Sequence, residues 1–175
     1  MPRRFENKDR GGFDAAAYRQ WDAVGKDTAA AFLNSIYGWD PVATGERFVD
    51  DGVMVDGKGG RHAFEVECFA APRLRHMRRT VHCSVKHTEA SVWLKISPEL
   101  RVVMVAATED VVGCELTPWM HTRGGRKSRF FAVPTRAFRI FRRCWDNRGA
   151  GEWERLDGRL AFEDILVACG QGWWR

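Results

Sequence analysis

The sequence predicts a single α/β or α+β domain in which helices flank a mixed central β-sheet. Its 175 residues are enough for one full hydrophobic core and too few for two, and 45% of them are apolar. A helical pattern near the N-terminus precedes several short segments with the alternation typical of β-strands. Eight Trp residues argue against a disordered chain.

The N-terminal region is predicted to contain an arm followed by a helix. Residues 1–12 are polar, which predicts a flexible arm ahead of a single domain that spans residues 13–175. Apolar residues recur at multiples of four from Asp14 to Tyr37, which predicts a helix that ends at Gly38. Gly25 near the middle of this segment suggests a kink.

An acidic β-hairpin is predicted between Phe48 and Phe69. Gly57-Lys58-Gly59-Gly60 supplies its turn, and apolar and polar residues alternate along the returning strand. Because alternate side chains of a strand point to the same side, Glu65 and Glu67 are expected to share one face. The hairpin therefore brings two carboxylates together.

The length of the turn sets the register of the two strands. If a four-residue turn pairs Asp56 with Arg61, the ladder places Asp50 opposite Glu67 and Asp51 beside it. A shift of one residue would exchange Asp50 for Asp51, so both remain candidates.

The clustered carboxylates of this hairpin are candidate metal ligands. Carboxylates held close together repel one another unless a cation or shared protons offset their charge. Hard oxygen ligands favour Mg²⁺, Mn²⁺ or Ca²⁺. The alternative is an exposed hairpin whose acidic face is solvated and whose charge is balanced by Lys58 and Arg61.

Three further strands are predicted after the hairpin, at residues 80–86, 91–96 and 100–107. The third is apolar along almost its whole length, which predicts a central strand buried on both faces. Residues 108–121 fit either a short helix or an irregular segment.

The C-terminal third is predicted to contain a short strand and two helical segments. The strand covers Phe130–Pro134 and stops at the proline. Residues 134–143 predict a helical turn or a short helix, with Phe138 and Phe141 directed inward. Residues 160–168 predict a last helix that packs against the sheet.

Positive charge is concentrated in the middle of the chain. The net charge is +5, but residues 71–149 alone contain 16 Lys/Arg and 6 Asp/Glu, which gives +10. Arginine predominates there and suits bidentate phosphate contacts, so a nucleic acid is the expected partner. A basic surface without a ligand is the alternative. The candidate nucleic-acid-binding residues are Arg73, Arg75, Arg78, Arg79, Arg126, Lys127 and Arg129.

Cysteine usage and hydropathy bear on location and partners. Five scattered cysteines fit reduced thiols better than a disulfide framework, although Cys68, Cys83 and the nearby histidines leave a zinc site as an alternative. No apolar run has membrane-spanning length, so we expect a cytoplasmic protein without a membrane partner. Trp173-Trp174 predicts either docking back onto the domain or a contact in a homodimer.

The order of helix, acidic hairpin and further strands resembles the PD-(D/E)XK nuclease superfamily. In that family an Asp near the start of the hairpin and a Glu-x-Lys on the next strand bind Mg²⁺ and position the attacking water. Asp50-Asp51 corresponds to the Asp, and Glu65-Val66-Glu67 corresponds to the tripeptide. The resemblance covers residues 14–143 and implies a restriction-endonuclease-like fold.

The resemblance implies a Mg²⁺-dependent nuclease that hydrolyses phosphodiester bonds of DNA, with Mn²⁺ as a substitute metal. Asp51, Glu65 and Glu67 would bind the metal, although Glu67 stands where the family usually has Lys. Lys86, at the end of the neighbouring strand, would then supply the catalytic cation. An alternative register makes Glu67 the principal acid with Lys86 as its partner. The missing Lys also fits a non-catalytic nucleic-acid-binding protein that retains a nuclease-like fold.

Overall fold

The structure is a computed structural model that describes residues 15–42, 51–69, 76–85, 88–97, 101–121, 126–143 and 152–156. The arm predicted at residues 1–12, the helix predicted at residues 160–168 and the Trp173-Trp174 pair lie outside these ranges. None of the helices in these ranges combines the length and the apolar character needed to cross a bilayer.

Strands predominate over helices in the described part of the chain. The elements in chain order are α1 (Ala15–Tyr37), β1 (Asp40–Pro41), β2 (Gly52–Val55), β3 (Arg61–Cys68), β4 (Thr80–Ser84), β5 (Val92–Ser97), β6 (Val102–Ala107), α2 (Thr108–Val112), β7 (Met120–His121), β8 (Lys127–Ser128), β9 (Phe130–Pro134), β10 (Arg139–Arg143) and β11 (Trp153–Leu156).

Seven strands form one sheet in the order β1-β2-β3-β5-β6-β10-β11. The neighbours β3 and β5 are parallel, whereas the other neighbouring strands of this sheet are antiparallel. The prediction of a mixed sheet combined with helices is therefore confirmed. β4, which follows β3 and precedes β5 in the sequence, does not join this sheet and pairs with β9 in a separate two-stranded ribbon.

The two faces of the sheet are covered by different kinds of element. On one face α1 contributes Ala29, Phe32 and Leu33 to a core that includes Phe64 and Leu94. On the other face the two-stranded β4–β9 ribbon packs through buried side chains such as those of Val81 and Val133. Helices were predicted to flank the sheet, but a β-ribbon and the short α2 occupy this second face in the described residues.

The central strands and the end of α1 follow the sequence closely. β6 has five consecutive buried residues, as predicted from its continuous apolar run, because β5 and β10 flank it within the sheet and both sheet faces are covered. α1 ends at Tyr37, and Gly38 follows with φ +66°, a left-handed conformation that glycine adopts without strain.

The register predicted for the acidic hairpin is wrong by one residue. Val55 pairs with Arg61 and Gly52 pairs with Phe64, so five residues, not four, connect the strands. The carboxylate of Asp56 explains the longer connection, because one oxygen accepts hydrogen bonds from the backbone N–H groups of Lys58 and Gly60, both at 2.8 Å. These bonds hold a wider turn than the one expected from the glycines alone.

The helical segment predicted at residues 134–143 is also corrected. A 3-10 turn covers only Thr135–Ala137. The strand β10 follows and pairs with β6 on one side and with β11 on the other. Phe138 and Phe141 are both buried, as expected. They belong to the cores on opposite faces of the sheet, whereas a helix would have placed them on one side.

Gly25 lies within the continuous helix α1, where β3 approaches its backbone closely. A β-carbon at this position would overlap the sulfur atom of Cys68 and would lie 3.3 Å from Cγ1 of Val66. The glycine therefore allows α1 to sit directly on β3.

We expect Gly25→Ala to lower the free energy of unfolding by about 1–2 kcal/mol, although alanine is the better helix former. The reason is the overlap with Cys68, and urea unfolding followed by circular dichroism measures the change. In a Cys68→Ala background the same Gly25→Ala change should be neutral or stabilising. Stabilisation by Gly25→Ala in the unchanged protein would contradict the close approach.

Candidate functional site

Asp51 immediately precedes β2 and is held by α1 and by the backbone of β3. Its Oδ2 accepts a hydrogen bond from the N–H of Val66 at 2.8 Å, and its Oδ1 lies 3.0 Å from Nζ of Lys26. Lys26 also contacts Asp22 at 3.0 Å, one helical turn earlier. Burial lowers the pKa of Lys26, but the bonds to Asp22 and Asp51 outweigh it and raise that pKa to about 12. Asp51 is therefore paired on the helix side of the sheet.

Glu65 and Glu67 lie on the opposite face of β3, the face covered by the β4–β9 ribbon. In the parallel pairing of β3 with β5, Glu65 is aligned with Trp93 and Glu67 with Lys95. Trp93 belongs to the core on the ribbon side. The two glutamates therefore share a face, as the alternation of the strand predicted.

Lys95 is a buried cation in the middle of β5, and its side chain is only 1% exposed. Its ammonium donates a hydrogen bond to the carboxylate of Glu67 and another to the backbone carbonyl of His82, at 2.7 Å for the latter. A buried ammonium requires such partners because its removal from water is costly. Lys95 thus connects β5 to β3 within the sheet and to β4 above it.

Lys95 was not among the residues singled out from the sequence. Lys95 could have been noticed because it is the single charged residue in the mostly apolar strand β5, Val92–Ser97, in which every residue is buried. Lysine is almost never fully buried unless it is paired, so this position alone could have indicated an acidic partner nearby. Lys86, which was predicted to supply the cation, lies outside the described residues, as does Asp50.

The predicted metal ligands are divided between the two faces of the sheet. Asp51 contacts Lys26 of α1, whereas Glu65 and Glu67 lie on the ribbon side. Within the described ranges, His, Cys, Asp and Glu form no group of three or more that could hold a metal ion. Asp51 was expected to lie close to Glu65 and Glu67, but in the structure it lies on the other face of the sheet.

The alternative zinc ligands are divided in the same way. Cys68 packs in the core under α1, whereas Cys83 packs in the core under the ribbon, and His82 next to it is exposed. Burial raises the pKa of the Cys68 thiol to about 12 and that of Cys83 to about 11. Both are free thiols that stay protonated at neutral pH.

The cationic residues predicted to bind nucleic acid occupy two described places. Arg78 and Arg79 are exposed immediately before β4, and the carbonyl of Arg79 accepts a hydrogen bond from the N–H of Thr135 at 3.0 Å. Arg126 and Lys127 are exposed at β8. Arg73 and Arg75 lie outside the described residues.

Residues 117–121 and 126–129 form a short antiparallel ribbon, here called the basic arm. Its pairs are Met120 with Ser128 and His121 with Lys127. Thr117 fixes its base, because its N–H donates to the carbonyl of Phe130 at 2.8 Å and its hydroxyl accepts from the N–H of Phe130 at 3.1 Å. The arm therefore projects from β9 at a defined place.

No protein-family model, curated protein or solved structure matches this chain. Two arrangements can nevertheless support chemistry or binding. One is the Glu67–Lys95 pair with Glu65 beside it, and the other is the basic arm.

We expect Glu67→Gln to lower the free energy of unfolding by about 2–4 kcal/mol, because it leaves the buried ammonium of Lys95 without an anionic partner. The lower end is favoured since the Glu67 side chain is 43% exposed. Urea unfolding measures the difference. The control is Lys95→Met, which fills similar space without charge. Adding Glu67→Gln to Lys95→Met should cost little, and an equal cost in both backgrounds would contradict the pairing.

Proposed function

We propose that this protein binds nucleic acid, with DNA as the favoured ligand, through the basic arm. The observation that carries the proposal is a charge imbalance in the sequence around the arm. Residues 116–145 contain eight Lys/Arg and no Asp/Glu. A polyanion is the partner that such a surface favours, because each phosphate contact releases condensed counterions.

Not all cations of this stretch are equally available to a ligand. Arg142 contacts Glu154 at 3.1 Å, and the guanidinium groups of Arg139 and Arg143 lie over the rings of Tyr37 and Trp153. These three arginines stabilise the edge of the sheet. Arg126 and Lys127 of the arm are candidates for phosphate contacts because both are exposed to solvent.

We also propose that the protein is cytoplasmic. The homodimer predicted from Trp173-Trp174 stays a prediction. The support for the compartment is that the three cysteines of the described ranges, Cys68, Cys83 and Cys114, form no disulfide. Reduced cysteines are typical of that compartment.

Replacing both Arg126 and Lys127 with Gln should weaken binding of a labelled, 3′-tailed DNA duplex and reduce the salt dependence of binding. The slope of log K against log salt should fall by about two, one for each lost phosphate contact. Fluorescence anisotropy from 50 to 200 mM salt measures both effects. The matched control, Lys58→Gln with Arg61→Gln, removes the same charge from the β2–β3 turn and should leave the slope unchanged. Equal effects of the two double variants would show only a net-charge effect.

A second candidate function is a Mg²⁺-dependent nuclease with a restriction-endonuclease-like fold, for which Mn²⁺ would be a substitute. The observation that favours it is the Glu67–Lys95 pair on adjacent parallel strands, with Glu65 on the same face. Mg²⁺ sites often use only one or two carboxylates and complete their coordination with water and substrate phosphate, which suits Glu65 and Glu67. The ion would activate water for attack on phosphorus. Lys95 would take the stabilising role that was predicted for Lys86.

The nuclease candidate predicts cleavage of the same tailed DNA in Mg²⁺ or Mn²⁺, measured on denaturing gels. Glu65→Gln should reduce the rate at least about a hundredfold, since it removes a carboxylate ligand. Glu89→Gln, at an exposed carboxylate outside the strands, is the control and should retain the rate. If the unchanged protein binds the DNA but does not cut it with either metal, the nuclease is excluded and the binding function stands.

A further inference from the structure

The most exposed large apolar side chain in the described residues belongs to Trp119, at the base of the basic arm. It is 66% exposed, and the other exposed large apolar residues are Val112, Leu116 and Met120. An indole held in water without covering apolar surface is unusual for a residue that adds so much to a core when buried. Trp119 is therefore available to a ligand.

Cations lie close to this indole along the arm. Trp119 immediately precedes β7, in which Met120 pairs with Ser128 and His121 pairs with Lys127. Directly opposite residues of a β-ribbon share one face, so His121 and Lys127 lie together. Arg126 and Lys127 are both exposed, two to three positions along the arm from the indole.

The position of this face is fixed rather than left to a loose loop. Thr117, two residues before Trp119, is only 8% exposed and makes two hydrogen bonds to Phe130. Its carbonyl also accepts a hydrogen bond from Nε of Arg129 at 3.0 Å. These contacts order the backbone next to Trp119, which lowers the entropy lost when a ligand stacks on the indole.

We propose that Trp119 is a stacking platform for an unpaired base, and that the arm binds single-stranded nucleic acid in preference to duplex. This inference rests on the proposed nucleic-acid binding and specifies its ligand. An exposed aromatic ring flanked by cations is the arrangement by which single strands are bound without sequence preference, because the ring stacks on a base while the cations contact phosphates. In a duplex the base faces are already stacked and the indole has no equivalent partner.

The same residues fit a membrane surface less well. Insertion into a bilayer requires apolar side chains that share a face and point away from the charged ones. In the arm the exposed Met120 is followed by His121, which pairs with the exposed Lys127, and Arg126 is exposed next to Lys127. Charged side chains therefore lie within the same short ribbon as the apolar ones, without the separation that an interfacial segment needs.

The test compares Trp119→Ala, Trp119→Phe and the control Val112→Ala, at an exposed apolar residue outside the arm, for binding to a labelled twelve-residue oligo-dT and to a duplex of equal length. Stacking of about 1–3 kcal/mol per base predicts a loss of roughly tenfold or more in oligo-dT affinity for Trp119→Ala. Trp119→Phe should retain most of the affinity, and Val112→Ala should retain all of it. Duplex binding, which depends on phosphate contacts, should change less than about twofold and also reports that the variants are folded.

Each other outcome identifies what fails. If Trp119→Ala leaves oligo-dT binding unchanged, or weakens both ligands equally, the stacking inference is wrong while nucleic-acid binding stands. If the unchanged protein binds neither ligand, the proposed function itself fails. If it sediments with vesicles containing phosphatidylserine, and Trp119→Ala abolishes that sedimentation but not oligo-dT binding, Trp119 serves a membrane surface and the inference is overturned.

Discussion

Among the described residues, the buried ammonium of Lys95 is the group that most constrains how the ribbon and the sheet pack together. An ammonium that is 1% exposed must find partners within the protein, since the effective cost of burying an ion is several kcal/mol. It finds the carboxylate of Glu67 on the neighbouring strand and the carbonyl of His82 on the β4–β9 ribbon. The Lys95 side chain therefore fixes the position of the ribbon over the two parallel strands. In this position Val81 and Cys83 of β4 pack into the core between the ribbon and the sheet.

The same constraint determines what the acidic hairpin can do. Glu67 is held on the ribbon side by Lys95, whereas Asp51 is held on the helix side by Lys26 and the N–H of Val66. Each carboxylate thus has its own cation, and the sheet lies between them. The repulsion expected between Asp51 and Glu67 is relieved by two separate ion pairs, one on each face of the sheet.

Local signals predicted the parts of the fold that depend on local physics. The end of α1 at Gly38 and the burial of β6 follow from one glycine and one apolar run. The register of the hairpin could not be predicted from such local signals, because hydrogen bonds to the Asp56 side chain widen the turn. The segment with β10 was predicted as helix because Phe138 and Phe141 are spaced by three, which suits one helical face, and only the pairing of β10 with β6 and β11 shows that they lie on opposite faces of a sheet. Lys95 was missed because its partners lie 28 and 13 residues away in sequence.

The ribbon layer also links the two candidate sites. β9 pairs with β4, whose His82 carbonyl binds Lys95, and β9 carries the basic arm through the bridge between Leu116 and Phe131 and the bond from the N–H of Ala132 to the carbonyl of Glu115. A ligand held on the arm is therefore attached to the layer that covers Glu67. Because the ammonium of Lys95 donates to the carbonyl of His82 and the side chains of Val81 and Val133 pack in the core under the ribbon, the ribbon layer is joined to the acid–lysine pair by ordered contacts. Binding by the arm consequently needs no rearrangement of the sheet, which leaves the affinity to stacking and phosphate contacts alone.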